Sequence, residues 1–148
     1  MITVDFLDMK NAQKEAVSML VNSYHRDRLS HAYIFEGEAG GMKFDTALFF
    51  AALLLCESED KRPCGVCSAC RRIDRTTHPN VHIVRPTREQ ILKESIKELQ
   101  SDFSKTSLED GPKIYIIEKA DTLNPQASNA LLKFLEEPEG EMYAVLLV

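Results

Sequence analysis

Apolar positions along the chain follow two rhythms: short unbroken runs, and longer stretches in which apolar residues recur three and four apart. The longer rhythm comes first. Over residues 9–28, Val17, Leu20, Val21 and Tyr24 keep that spacing and predict a helix with one apolar face. A polar link, 26–30, leads to the short run Ala32–Phe35, of strand type. A turn rich in glycine follows, with Gly37, Gly40 and Gly41. Residues 44–56 are apolar nearly all round, which predicts a helix packed on several sides but too short to cross a bilayer.

The second half repeats the alternation. Residues 81–84 form a weakly alternating strand closed by Pro86. Thr87 followed by Gln90 reads as a capping box, opening a helix whose apolar face is Leu92, Ile96, Leu99 and Phe103. A turn at 110–112 precedes a buried strand run at 113–118. Asn124 before Pro125 is an N-cap with proline at the first helical position. The helix 125–137 buries Ala127, Leu131, Phe134 and Leu135 and stops before Pro138, and a last strand covers 143–148. Strands alternating with helices predict an α/β fold, a mostly parallel sheet with helices on both faces.

Composition narrows the class. With 148 residues, 44% apolar and 28% charged, the chain suits one soluble domain with a real core. It shows no basic leader with an apolar core, so a cytoplasmic, membrane-free setting is expected. The net charge of −5 argues against a wholly nucleic-acid-coated surface, so any contact with DNA would be local. The apolar run 143–148 stops without a turn, and the expectation is an N-terminal part of a longer protein.

Strand, glycine turn, lysine and helix together have the layout of a phosphate-binding loop, in which backbone N–H groups, a helix N-terminus and a lysine surround phosphate oxygens. Gly37, Gly40, Gly41 and Lys43 are the candidate residues. The pattern is altered where chemistry concentrates. Met42 stands where glycine is asked for, and Phe44 has no hydroxyl for Mg²⁺. Glu36 and Glu38 add negative charge beside the would-be anion site. After the strand at 113–117 a nucleotide hydrolase places two acids, one for Mg²⁺ and one for the attacking water. Here Glu118 is followed by Lys119, which is no base at neutral pH. Both halves are altered independently, so a phosphate-loop fold that neither binds nor hydrolyses ATP is expected, with no catalytic residue. A plain strand–turn–helix that never held phosphate is the other reading.

All four cysteines fall within 15 residues, at Cys56, Cys64, Cys67 and Cys70. They supply the four thiolates of a structural tetrahedral Zn²⁺ with no open position for catalysis. Gly65 suits a tight turn aiming Cys64 and Cys67 at one point, and Cys67 and Cys70 share a face at a helix start. Two disulfides or a redox pair are the alternatives, and His78 is a spare ligand candidate. Lys61, Arg62, Arg71, Arg72 and Arg75 surround the module, as a small basic patch for DNA or an acidic partner, or as a solvated face. The module is read as an insertion spanning 56–80.

Four stretches together resemble the clamp-loader subunits of bacterial DNA polymerase III, AAA+ proteins with a zinc module in the first domain. They are residues 28–37, the four-cysteine insertion, Thr77-His78-Pro79, and the run 129–138, Asn-Ala-Leu-Leu-Lys-Phe-Leu-Glu-Glu-Pro. The altered nucleotide motifs resemble the delta-prime kind of subunit, a stator with broken motifs, rather than the gamma/tau motor kind. The resemblance implies partnership with gamma/tau and delta subunits, and indirectly with the sliding clamp and primed DNA. It also implies an arginine finger from a Ser-Arg-Cys motif, which no stretch of 1–148 contains. A gamma/tau-type ATPase and a stand-alone zinc nucleic-acid module are the rival functions.

Overall fold

The computed structural model describes residues 14–37, 42–86, 88–103, 109–137 and 140–148. They fall into a helical unit (within 1–30 and 38–78) and a sheet unit (31–37 and 79–148).

The helical unit holds α1 (Lys14–His25), α2 (Lys43–Leu55) and α3 (Ser68–Asp74). In α1 the predicted stripe is in place, with Val17 and Leu20 buried. The helix ends at His25, three residues before the expected limit. Asp27 adopts the left-handed region (φ 53°), and the Arg28 N–H returns to the Ser23 carbonyl at 2.9 Å. That closure satisfies a carbonyl of the last turn and stops the helix. The predicted start at 9–13 lies outside the described residues. In α2 every residue from Thr46 to Leu54 is buried, as an all-round apolar pattern requires.

The sheet unit holds β1 (Ala32–Phe35), β2 (Val81–Val84), β3 (Lys113–Ile117) and β4 (Met142–Leu147), all paired in parallel in the order β1-β4-β3-β2. Among the described residues it also holds two helices, α4 (Lys93–Phe103) and α5 (Pro125–Glu136), and a 3₁₀ turn (Ala120–Thr122). The register His82↔Tyr115↔Ala144 and Val84↔Ile117↔Leu146 puts these residues on one sheet face. There Val84, Tyr115, Ile117, Met142 and Ala144 form a core with Ile96 and Leu99 of α4 and Ala127 and Leu131 of α5. On the opposite face Ile114, Ile116, Val145 and Leu147 are also buried, so β3 and β4 read as continuous apolar runs. The expected parallel α/β architecture is present. Ile34 of β1 is 70% exposed, so burial of this helix-bearing face fades at the outermost strand.

The second half departs from expectation at the start of α4. The helix begins at Lys93; the 88–90 stretch is bent, and Thr87 lies outside the described residues. Ile91 forms a parallel bridge with Leu123: its N–H donates to the Thr122 carbonyl at 2.9 Å, and its carbonyl accepts from the Asn124 N–H at 3.1 Å. Those backbone groups are therefore committed outside the helix. Ile91 is fully buried and Leu92 is 39% exposed, so Ile91 replaces Leu92 in the core. The cap of α5 is as expected: the Asn124 side chain accepts from the Ala127 N–H at 2.8 Å, with Pro125 next.

Buried Asn80 pins the entry to β3. Its side-chain amide donates to the Glu109 carbonyl (3.0 Å) and the Pro112 carbonyl (3.4 Å), and its Oδ1 accepts from the Glu109 N–H (3.0 Å). A buried amide with its donors and acceptor engaged fixes the turn before the strand.

Candidate metal centre

Each cysteine is delivered by a distinct local feature of the helical unit. Cys56 is the C-cap of α2, where the backbone leaves helical angles (φ −56°, ψ 138°). Cys64 precedes Gly65, whose φ of 79° is the left-handed turn that glycine takes without a Cβ penalty. Cys67 is the N-cap of α3, and Cys70 lies in its first turn, fully buried. Their sulfur atoms all lie within 4.8 Å of one another.

The four thiols are free, so no disulfide joins them. The Cys56 and Cys67 sulfurs are 4.0 Å apart. Sulfurs on a tetrahedral ion, with metal–sulfur bonds of about 2.3 Å, stand roughly 3.8 Å from each other. That pair is spaced as two ligands of one ion would be, and the whole set is compact enough to surround one.

Backbone N–H groups converge on the sulfurs. Cys56 Sγ accepts from Ser58 (3.4 Å) and Cys64 (3.3 Å). Cys64 Sγ accepts from Val66 (3.4 Å) and Cys67 (3.2 Å), and Cys67 Sγ accepts from Cys70 (3.4 Å). The Gly65 backbone serves Cys70. Donors aimed at sulfur favour thiolates. Burial works the other way and dominates at Cys56 and Cys70, whose thiols are held above their ordinary range. At Cys64, burial is the largest single effect and raises the thiol, but the Val66 and Cys67 N–H groups and the neighbouring thiols together outweigh it, and the value falls to about 7. Four sulfurs this close cannot all carry charge unless a cation lies among them. An all-sulfur, four-ligand set fits a soft tetrahedral ion and leaves no place for a reacting water.

His78 is buried but is not part of this group. The expected basic patch is smaller than the sequence suggests. Lys61, Arg71 and Arg75 are exposed. Arg62 instead turns inward: Nε donates to the Leu53 carbonyl (3.0 Å), Nη2 to the Leu54 carbonyl (2.8 Å), and its guanidinium lies 5.0 Å from the Tyr24 ring centroid.

The phosphate-loop candidates are only partly described. Gly40 and Gly41 lie outside the described residues. Gly37 follows β1, and its N–H donates to the Val148 carbonyl at 3.3 Å. Lys43 is the first residue of α2, preceded by Met42 at an ordinary φ of −94°. The first turn of α2 does contain a hydroxyl, Thr46, but it is buried and donates to the Met42 carbonyl at 2.7 Å. Asp45, in the same turn, has its carboxyl raised by burial.

At the C-terminal ends of β2 and β3, Arg85 Nε donates to Glu118 Oε2 at 2.6 Å. The register Val84↔Ile117 sets these residues side by side. Lys119 follows in the left-handed region (φ 51°, ψ 51°), its carbonyl held by the Thr122 N–H at 2.8 Å and the Thr122 hydroxyl at 2.6 Å. Sequence reading missed Thr46 and Arg85, and it counted Arg62 in the basic patch without its inward turn. Only Arg85 carried a usable signal, because pairing β2 with β3 places it beside Glu118.

A family model described as DNA polymerase III, delta subunit, matches residues 12–148. The chain is 43% identical over 146 residues to DNA polymerase III subunit delta' of Bacillus subtilis, which covers 99% of this chain and 44% of that one. It is 35% identical over 129 residues to the subunit of the same name from Pseudomonas aeruginosa, covering 82% of this chain and 38% of the relative. DNA polymerase III subunit tau of Salmonella typhimurium is 31% identical over 136 residues, covering 90% of this chain and 21% of the relative. The chain thus spans less than half the length of each of these curated relatives. With the matched region running through the sheet unit as well as the cysteine module, the chain belongs to the DNA polymerase III delta subunit family.

Proposed function

We propose that this chain acts as the N-terminal AAA+ part of a delta-prime-like clamp-loader subunit, with residues 56–80 as an inserted zinc module. In this reading it helps assemble, in the cytoplasm, the complex with gamma/tau and delta subunits that loads the sliding clamp onto primed DNA. It does not hydrolyse ATP. The observation that carries the last point is the Arg85–Glu118 pair. Glu118 is the acid expected to hold Mg²⁺, and it is neutralised by a residue of the same chain. Two further facts support it: the Thr46 hydroxyl is committed to Met42, and the position after Glu118 holds a lysine. Gly37, Gly40, Gly41 and Lys43 are then the remnant of a phosphate loop.

Zn²⁺ is the ion proposed for Cys56, Cys64, Cys67 and Cys70. Bound there, it supplies cross-linking and charge balance and no reaction chemistry. The family match across 12–148 sets aside a stand-alone zinc nucleic-acid module. The gamma/tau-type ATPase is the rival that the tau relatives favour.

Isothermal titration with ATP and Mg²⁺, paired with a phosphate-release assay, separates the two. The expected outcome is no saturable binding at micromolar nucleotide and no turnover. Tight binding with turnover overturns the proposal in favour of the motor type. Metal analysis should return one zinc per chain.

A further inference from the structure

We infer that Arg62 is a positioning residue for the four-cysteine centre: it closes the loop between Cys56 and Cys64, so the affinity of the centre for its metal depends on it. The inference rests on the zinc reading above and concerns a residue that is not a ligand.

The loop has little else to hold it. Residues 57, 59, 60 and 61 are exposed and charged, and Pro63 is the one apolar residue between the two cysteines, buried beside Cys64 in sequence. Its two ends nevertheless meet at one sulfur, since the N–H groups of Ser58 and Cys64 both donate to Cys56. Bringing such ends together costs chain entropy. Arg62 supplies the opposing contacts. α2 stops at Leu55, and the chain turns away at Cys56. The Leu53 and Leu54 carbonyls therefore lose the N–H partners that a continuing helix would provide. The Arg62 fork takes both places, at 3.0 and 2.8 Å. Its guanidinium also lies over Tyr24 of α1, at 5.0 Å from the ring centroid.

The grip is well placed. It holds carbonyls two and three residues before Cys56 with a side chain rooted two residues before Cys64. One planar group thus ties the turn at Cys56 to the turn at Cys64. Lysine cannot imitate it, because one ammonium does not present two parallel donors in a fixed fork. These contacts exist only while the loop is closed over the end of α2, so they favour the state in which Cys64 faces Cys56. By linkage they tighten metal binding and contribute little to the metal-free chain. Outer partners of metal ligands typically change affinity by about 10–100-fold.

The test uses the full chain. Zinc affinity is measured by competition with a chromophoric chelator for the parent, Arg62→Ala, Arg62→Lys and Tyr24→Leu. Metal-free melting curves and Co²⁺ absorption spectra are recorded alongside. The expected result is a loss of zinc affinity of about tenfold or more for both Arg62 variants, with a smaller loss for Tyr24→Leu. Metal-free melting stays close to the parent, and the Co²⁺ spectrum remains that of four sulfur ligands. If Arg62→Ala does not fold, Arg62→Lys alone decides. Parent-like zinc affinity in Arg62→Lys overturns the inference. So does a metal-free melting loss as large as that of the zinc form, which would make the arginine a general stabiliser. A parent that takes up no zinc overturns the zinc reading itself, and this inference with it; that outcome is separately visible because the parent is measured first.

Discussion

Lys119 occupies a backbone conformation that costs an ordinary side chain about 1–2 kcal/mol and glycine almost nothing. It stands where a nucleotide hydrolase places its second acid, beside a Glu118 already paired with Arg85. Lys119→Gly should raise stability by about 0.5–1 kcal/mol, and Lys119→Val should lower it by about 1 kcal/mol or more, both read from urea denaturation midpoints. At the cysteines, Cys64→Ser should abolish stoichiometric zinc in metal analysis. Binding a metal there displaces thiol protons, above all the ones that burial holds on Cys56 and Cys70. Affinity therefore rises with pH and falls on acidification, and a chelator titration from pH 9 down to pH 6 should show progressively easier release. The cysteines were legible as one cluster because their spacing in the chain already suits a shared centre. Arg62 was not, because an inward arginine and a solvated one look alike until the end of a helix is in view.

Among the elements, those announced by their own termini were read well. The Asn124-Pro125 cap gives α5 its observed start. Asn124→Ala should cost about 1 kcal/mol, measured by thermal or urea melting, with no change in metal content. The start of α4 was misread because Thr87 and Gln90 offer a plausible local cap while a distant partner decides the outcome. Leu123 and its neighbours take the backbone of Ile91 into a bridge, and a contact more than thirty positions away leaves no local trace. The end of α1 at His25 is a similar case, since Asp27 in a glycine-like conformation is not visible as a stop signal.

For the molecule as a whole, alternation of strand and helix was enough to predict a parallel sheet. The order β1-β4-β3-β2 was not, because nothing in β1 states that its neighbour is the last strand rather than the next. The division into a helical and a sheet unit places the four-cysteine cluster wholly in the former. Removing zinc with a chelator should then speed amide hydrogen exchange over residues 56–74 by about tenfold or more, while β3 keeps its protection. Equal loss in both would contradict a locally structural ion. The pairing of Ala32 with Ala144 has a temporal side as well. On a ribosome delivering about 5–20 residues per second, β1 emerges on the order of ten seconds before its only hydrogen-bonded neighbour in the described sheet. In that interval its backbone donors and acceptors are left to water, and they gain their sheet partners only when β4 arrives.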